Sequence, residues 1–226
     1  KKVMQINYIN GIEEFSIVWN YFDNGKLGKE TNIKGDKKNG RSTKWYLNGN
    51  KEYEGNYIDD VAQGIWISWH ENGKKEKEVS MINGKRNGTS TEWDENGIKL
   101  RDVNYKNGKL HGLYRNWYSN GKKFRDRYFE EGDRVGTETT WHPNGQIAEV
   151  GNYKLDKAEG IWTSYYPNGQ KFEEGIKDGF ASIGVWSKWY ENGQKLSEGS
   201  YKGPHVRNGK WTEWHENGQK KSEGRY

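Results

Sequence analysis

Apolar side chains are sparse in this sequence, and the aromatic ones among them recur at a fixed spacing. One series of Asn-Gly pairs recurs in step at Asn24, Asn48, Asn72, Asn96, Asn120, Asn144, Asn168, Asn192 and Asn217, with seven successive intervals of 24 residues and a last one of 25. Three residues before each Asn stands a ring: Tyr21, Trp45, Trp69, Trp93, Trp117, Trp141, Tyr165, Trp189 and Trp214. Eight before it stands Gly in every copy but the first: Gly40, Gly64, Gly88, Gly112, Gly136, Gly160, Gly184 and Gly209. Nine after it the position is mostly aromatic (Tyr57, Tyr105, Phe129, Tyr153, Tyr201, Tyr226), with Ile33 and Met81 as substitutes and Lys177 breaking the column. Frequent Gly and the lack of any 3.6-residue apolar period exclude helix. The pattern predicts strand, tight turn, strand in each copy.

A type I′ turn with Asn and Gly as its two loop residues predicts the pairing register. In that register the ring at minus three faces plus four (Leu100, Phe124, Phe172, Leu196). The position at minus six (Trp66, Trp162, Trp186, Trp211) faces plus seven, which is Gly55, Gly151, Gly175, Gly199 or Gly224 where Gly is kept. Gly at minus eight then faces the plus-nine aromatic. A ring laid over glycine across the ladder shelters bare backbone, which explains why Trp and Gly recur together. The expected architecture is all-β: an elongated, single-layer antiparallel sheet of about nine tandem hairpins, read as one repeat domain over residues 1–226. A partial leading repeat covers residues 1–14, and the extra residue of the last interval lies between Lys202 and Arg207. At about 10 Å per hairpin the array would be a twisted ribbon on the order of 90 Å long.

Composition sharpens this picture. Leu, Ile, Val and Phe are scarce and mean hydropathy is strongly negative, as in disordered chains, yet there are 12 Trp and 15 Tyr, which such chains lack. Order must therefore come from aromatic rings in register and not from a bulky core. The net charge of +5 is a small difference between 37 basic and 32 acidic residues, which argues against a phosphate-seeking protein. The absence of Cys excludes disulfides and thiolate metal sites. No apolar run approaches the roughly 18 residues of a spanning helix. The chain opens Lys1-Lys2-Val3, so export or surface display in a bacterium with a leader removed is one expectation and a cytoplasmic setting the other.

The chemistry of a catalytic or metal centre is not legible. His70, His142 and His215 share the position two before Asn but lie three hairpins apart, roughly 30 Å, too far to hold one metal. They read as half-buried rings in a column. His111 and His205 are placed in linking segments, without partners in sequence. Acids recur at plus six (Glu30, Glu54, Glu78, Asp102, Asp126, Glu174, Glu198, Glu223), the opposite of a unique catalytic pair. No nucleophile elbow or phosphate-cradling loop is present. The expectation is a protein that is not an enzyme, with no cofactor, no metal and no small-molecule substrate. Two surfaces are candidates. One is the ring column Trp45, Trp69, Trp93, Trp117, Trp141, Tyr165, Trp189 and Trp214, as an interaction surface. The other is a basic stripe at plus three: Lys51, Lys75, Lys99, Lys123, Lys171, Lys195 and Lys220.

The segments WSKWYENGQKLSEGSY (Trp186 to Tyr201) and WTEWHENGQKKSEGRY (Trp211 to Tyr226) resemble the variant MORN repeat, and Tyr105 to Gly112 is similar to its linking segment. The resemblance covers nearly the whole chain and implies a ribbon of antiparallel hairpins stacked side by side. Bacterial proteins of this kind carry the label YwqK-type antitoxin, and related eukaryotic ones act as membrane-associated scaffolds. Three functions follow as expectations. The first is a scaffold mediating protein–protein interaction; the second is an antitoxin-like binder of a cognate toxin. The third is a surface for anionic lipid or nucleic acid using the lysine stripe, with lysines paired to the plus-six acids as the bland alternative. The protein partner is preferred, an anionic membrane surface is the alternative and nucleic acid is disfavoured. The chain itself is expected to be a monomer or a weak end-to-end dimer.

Overall fold

The computed structural model describes residues 1–9, 12–204 and 206–226, which contain 19 strands and no helix. His205, one of the two histidines assigned to linking segments, lies outside the described residues. The chain forms two compact units, Lys1–Leu110 and His111–Tyr226. The first holds β1 (Lys2–Ile9), β2 (Ile12–Tyr21), β3 (Leu27–Lys34), β4 (Lys37–Trp45), β5 (Lys51–Ile58), β6 (Val61–Trp69), β7 (Lys75–Ile82), β8 (Lys85–Trp93) and β9 (Lys99–Lys106). The second holds most of β10 (Lys109–Trp117), then β11 (Lys123–Glu130), β12 (Asp133–Trp141), β13 (Ile147–Lys154), β14 (Lys157–Tyr165), β15 (Lys171–Asp178), β16 (Ala181–Trp189), β17 (Lys195–Lys202), β18 (Arg207–Trp214) and β19 (Lys220–Arg225). Within each unit every strand pairs antiparallel with the one before it, so each unit is a β-meander of the predicted all-β class.

The Asn-Gly corners differ from the type I′ expectation. Tyr46 N–H donates to the Asn50 carbonyl at 2.8 Å and Gly49 N–H to the Tyr46 carbonyl at 2.9 Å, closing a loop of three residues, Leu47-Asn48-Gly49. Gly49 has φ 97°, whereas Asn48 is not among the residues with positive φ. This is a type I turn followed by a left-handed glycine, the usual three-residue hairpin. Asn serves here through its side chain: Asn48 Oδ1 accepts from Asn50 N–H at 2.9 Å, and Asn168 Oδ1 likewise from Gln170 N–H at 2.9 Å. The longer loop shifts the register near the corner. Trp45 pairs with Lys51 at plus three, and plus four bulges out, instead of Trp45 facing plus four. Beyond the bulge the predicted register holds: Trp162 pairs with Gly175, Trp186 with Gly199, and Gly40 with Tyr57.

Type I′ turns occur at the opposite edge of the sheet. Asp59-Asp60, Asn83-Gly84, Asn107-Gly108, Glu131-Gly132 and Leu155-Asp156 each have positive φ at both residues. They are the two-residue loops that join successive hairpins, for example between Ile58 and Val61, which pair directly.

The glycine columns have two different causes. Each glycine at minus eight has positive φ, from 64° at Gly184 to 102° at Gly40. A Cβ on Gly64, Gly136, Gly160 or Gly209 would meet nothing within 4 Å, so these positions answer to backbone conformation alone, whereas at Gly40 it would also fall 3.1 Å from the Asn32 side chain. The column lies at a wide bulge, where Gly184, Val185 and Trp186 together oppose the single residue Gly175. The plus-seven glycines are under rings. A Cβ on Gly55, Gly151, Gly175 or Gly199 would fall 2.0 to 2.1 Å from the indole of Trp66, Trp162, Trp186 or Trp211. Each of those rings belongs to the following hairpin, not to the glycine's own, so the sheltering is between repeats where the sequence predicted it within one. Trp162, Trp186 and Trp211 are among the buried apolar residues.

Other copies fill the same plus-seven and minus-six contact differently. Thr31 and Ser42 share a hydrogen bond of 3.2 Å, Val79 pairs with Ser90, and Arg127 and Glu138 take the two positions in the next unit. Large stands against small, or cation against anion. The core of each unit is this one column, running from hairpin to hairpin along one face of the sheet.

Candidate interaction surface

The opposite face carries both surfaces read from the sequence, and the structure merges them. Lys51 Nζ sits 5.5 Å from the ring centre of Trp69, and Lys75 5.8 Å from Trp93. In the second unit Lys123, Lys171 and Lys195 stand over Trp141, Trp189 and Trp214 at 5.0, 5.6 and 5.8 Å. Each lysine therefore caps the ring of the next hairpin, a cation–π contact. The rings of this column are half-buried, Tyr165 included. Trp45, Trp117 and the last lysine, Lys220, hold equivalent places in the register.

The same lysines reach the plus-six acids. Lys51–Glu54, Lys75–Glu78, Lys171–Glu174 and Lys220–Glu223 are each 2.6 Å apart, and Lys99–Asp102 and Lys123–Asp126 are 3.1 and 3.0 Å. Lys195 is paired with Glu198 in the same way. A hydroxyl at minus five completes the group: Thr43, Thr163 and Ser187 donate to Glu54, Glu174 and Glu198 at 3.2, 3.0 and 2.8 Å. The hydrogen bond from lysine holds the carboxyls of Glu54, Glu174, Glu198 and Glu223 below the usual range. The stripe is thus a row of closed Lys–acid–Trp contacts and its charge is matched within each hairpin.

Between these contacts lies an apolar strip that the sequence reading passed over. Ile161 pairs with Ile176 and Ile176 with Ile183 across three adjacent strands. Ile161, Ile176 and Val185 are 62%, 39% and 56% exposed. Leu113, Tyr128 and Val135 form a similar row on β10, β11 and β12. In the hairpin between them the equivalent residues are polar, Thr137 donating to Asn152 at 2.9 Å. Period-two alternation puts these positions on the face of the lysines and plus-six acids.

In the histidine column His70 and His142 are half-buried, as the sequence predicted, and His215 is exposed. His70 and His142 each place Nε2 at 3.0 and 2.8 Å from the backbone carbonyl of the next hairpin's ring residue, Trp93 and Tyr165. Tyr46, Tyr118, Tyr166 and Tyr190 hold the same slot, and their hydroxyls donate to the equivalent carbonyls of Trp69, Trp141, Trp189 and Trp214 at 2.6 to 2.9 Å. Asn adds a second tie: Asn168 Nδ2 donates to the Glu191 carbonyl at 2.9 Å. His215 stands in the same slot of the last copy. His111 lies within β10, not in a linking loop, with Nδ1 3.8 Å from Glu131. Among the described residues no group of three or more His, Cys, Asp or Glu is placed to hold a metal ion.

Hairpins tied edge to edge, each lending rings, ammonium groups and hydroxyls to the next, define a tandem β-hairpin repeat protein. The chain belongs to the MORN repeat variant family, whose repeat matches residues 38–59, 62–83, 86–107, 110–131, 134–155, 158–176, 183–202 and 207–226. The hairpin around Asn24 lies before the first matched repeat. No curated protein matches the chain. Among solved structures, those of TcdB2-TccC3-Cdc42 and TcdB2-TccC3 are each 10% identical to it, with TM-scores of 0.24 and 0.23. They align over 92% of this chain, which spans 13% and 14% of the length of those chains.

Proposed function

We propose that this chain is a non-catalytic repeat scaffold that binds another protein through the apolar strip on the lysine-bearing face. The observation that supports this is the row Ile161–Ile176–Ile183 with Val185, exposed at Ile161, Ile176 and Val185, on a sheet face whose lysine stripe is paired to acids. Rows of exposed aliphatic side chains in register are found where a partner covers them, and the equivalent positions of the preceding hairpin are the polar pair Thr137 and Asn152. The half-buried rings from Trp141 to Trp214 flank the strip and would form its rim. Lysines already paired to acids within hydrogen-bond distance have little charge left for a phosphate-rich ligand, which sets the lipid and nucleic-acid readings behind.

The test is capture of partners from the source cells by the wild-type chain and by an Ile161→Thr, Ile176→Thr, Val185→Thr variant. A protein retained stoichiometrically by the first and lost by the second is expected. Little retention on heparin or on anionic vesicles at low salt is expected of both. Strong binding to vesicles or heparin that collapses with rising salt would replace this reading with the electrostatic one.

A further inference from the structure

The corner at Asn96 differs from its counterparts in what holds the Asn side chain. Two residues before Asn the other copies have a ring, as at Tyr46, His70 and Tyr118, and here the residue is Asp94. The backbone loop is the same, with Gly97 N–H donating to the Asp94 carbonyl and Asp94 N–H to the Ile98 carbonyl, both at 2.9 Å. The Asp94 carboxylate, though, accepts from Ile98 N–H at 2.8 Å and from Asn96 N–H at 2.9 Å. At the other corners the N–H two residues after Asn goes to Asn Oδ1 itself, at 2.9 to 3.1 Å. Asn48, Asn72, Asn120, Asn144, Asn168 and Asn192 also donate from Nδ2 to a carbonyl of the next hairpin, at 2.6 to 3.2 Å. Asp94 has displaced Asn96 from its usual partner. The Asn96 side-chain amide is exposed and has no hydrogen bond among the described residues.

A side-chain amide followed by glycine is open to attack from the glycine nitrogen, since no Cβ hinders the approach. We propose that Asn96–Gly97 is a self-modification site, at which the chain turns its own asparagine into aspartate and isoaspartate. Gly97 N attacks Asn96 Cγ; the N–Cγ bond forms and the Cγ–Nδ2 bond breaks. The proton of Gly97 N passes through solvent to the departing Nδ2, which leaves as ammonia. Water then opens the cyclic imide at either carbonyl, giving aspartate or isoaspartate with no change of oxidation state. The glycine N–H is bonded alike at every corner, so the amide makes the difference. It must turn toward Gly97 to be attacked, and at the other corners hydrogen bonds oppose that turn. Two such bonds slow the reaction by about tenfold or more, and one bond by about fivefold. Asn-Gly pairs elsewhere among the described residues are held in other ways. Asn39, Asn83, Asn87 and Asn107 have side-chain hydrogen bonds, and Gly209 N–H after Asn208 donates to the Tyr226 carbonyl at 3.0 Å. Isoaspartate lengthens the backbone of the Glu95-Asn96-Gly97 loop, and either product adds a carboxylate beside Glu95.

The test is to age the full chain at mildly alkaline pH and follow each Asn-Gly pair by peptide mapping with mass spectrometry, both folded and in guanidinium chloride. In the folded chain Asn96 is expected to react at least about tenfold faster than Asn72 or Asn168, with Asn24, held through Oδ1, between them. In denaturant the corners should react at similar rates, since each is Asn followed by Gly. Asp94→Tyr restores the ring found at Tyr46 and Tyr118; it should return Ile98 N–H to Asn96 and slow the reaction there about fivefold. His70→Asp copies a corner that the chain already contains and should speed the reaction at Asn72 by a similar factor. An Asn96 rate equal to that of Asn168 in the folded chain, a lead that persists in denaturant, or rates at Asn96 and Asn72 unmoved by the two substitutions would each overturn the proposal.

Discussion

Gly175 and Trp186 offer the sharpest test of the idea that the core is a column of compensating pairs between hairpins. Replacing Gly175 by Val puts a Cβ about where one would lie 2.0 Å from Trp186 Cδ2, against the roughly 3.5–4.0 Å of an ordinary carbon contact. The indole must retreat by about 1.5 Å or leave. It is buried, and its Nε1 donates to the Ile176 carbonyl at 3.2 Å. If it stays, overpacking costs about 1–3 kcal/mol. If it leaves, burial of a Trp side chain is forfeited, at most about 4–6 kcal/mol for 150–250 Å², together with about 1 kcal/mol for the hydrogen bond. A loss of about 3 kcal/mol is expected between these limits. Trp186→Ser alone leaves a cavity and should cost about 3–5 kcal/mol. The double variant recreates the Val79–Ser90 combination that the first unit already uses, both residues buried. It should therefore be no less stable than Trp186→Ser alone, a coupling of about 2–3 kcal/mol in the double-mutant cycle. Repeat arrays can open locally, so the readout is hydrogen exchange at the amides of β15 and β16 alongside urea unfolding. A coupling below about 0.5 kcal/mol would mean the two sites are independent, and the compensating-pair account would be wrong.

Three further outcomes are expected. Tyr166→Phe removes the hydroxyl that donates to the Trp189 carbonyl and should cost about 1 kcal/mol, whereas His142→Tyr, which copies Tyr118 and Tyr166, should stay within about 0.5 kcal/mol of wild type; both are read from urea midpoints. Asn168→Asp keeps the acceptor for Gln170 N–H but loses the donor to Glu191, so it should retain part of the stability that Asn168→Ala loses, the latter costing about 1–2 kcal/mol. Glu174 has its pKa depressed by the Lys171 hydrogen bond, so its contribution is present above the ordinary carboxylate range and is lost as pH falls through the lowered folded-state value. Glu174→Gln should accordingly flatten acid unfolding of the second unit, and an unchanged acid profile would show that the pair is energetically silent.

Much of the fold was legible because strand repeats write their period into every residue. The register from Trp186–Gly199 outward followed from counting, and so did the assignment of histidines to a ring column. The corner type did not, since Asn-Gly suits two loop geometries, separated here by the hydrogen bond from Gly49 to Tyr46 and by a positive φ at Gly49 without one at Asn48. A signal for the second set of turns was present: Asn83-Gly84 and Asn107-Gly108 keep the same period and are the ones with both φ values positive. The direction in which the tryptophans lean was hidden because Trp162 is a direct partner of Gly175 while its ring covers Gly151. Pairing register says which backbones adjoin, and side-chain direction chooses between two neighbours. The candidate surface was read as two features because lysine and Trp are 18 residues apart in sequence, as in Lys51 and Trp69, and meet only when hairpins stand side by side. The apolar strip escaped for a different reason: single isoleucines at plus eight and minus seven are unremarkable until the ladder aligns them.

The Arg127 and Glu138 substitution shows how far such a column can be altered without losing its logic. At four other contacts these two positions are Gly and Trp, a pair stabilised by burial of a ring on backbone. Here a buried carboxyl lies 3.5 Å from Arg125, and Arg127 stacks on Tyr114 at 4.7 Å. Burial pushes the Glu138 carboxyl above its ordinary range, while Arg125, Arg127 and Arg134 draw it back down. A raised folded-state value means that Glu138 favours the fold most strongly at low pH and loses that contribution as pH rises through it, the reverse of Glu174. Glu138 Oε2, Arg125 Nε and Arg127 Nε are buried without a hydrogen-bond partner among the described residues, so charges enclosed in this way contribute little net stability compared with an indole on glycine. Hairpins of the Gly–Trp kind therefore supply the cohesion of the second unit, and the Arg–Glu contact keeps register between them. That division of labour follows from one geometric fact: each hairpin's plus-seven residue meets the minus-six residue of the next, so the two must be chosen together.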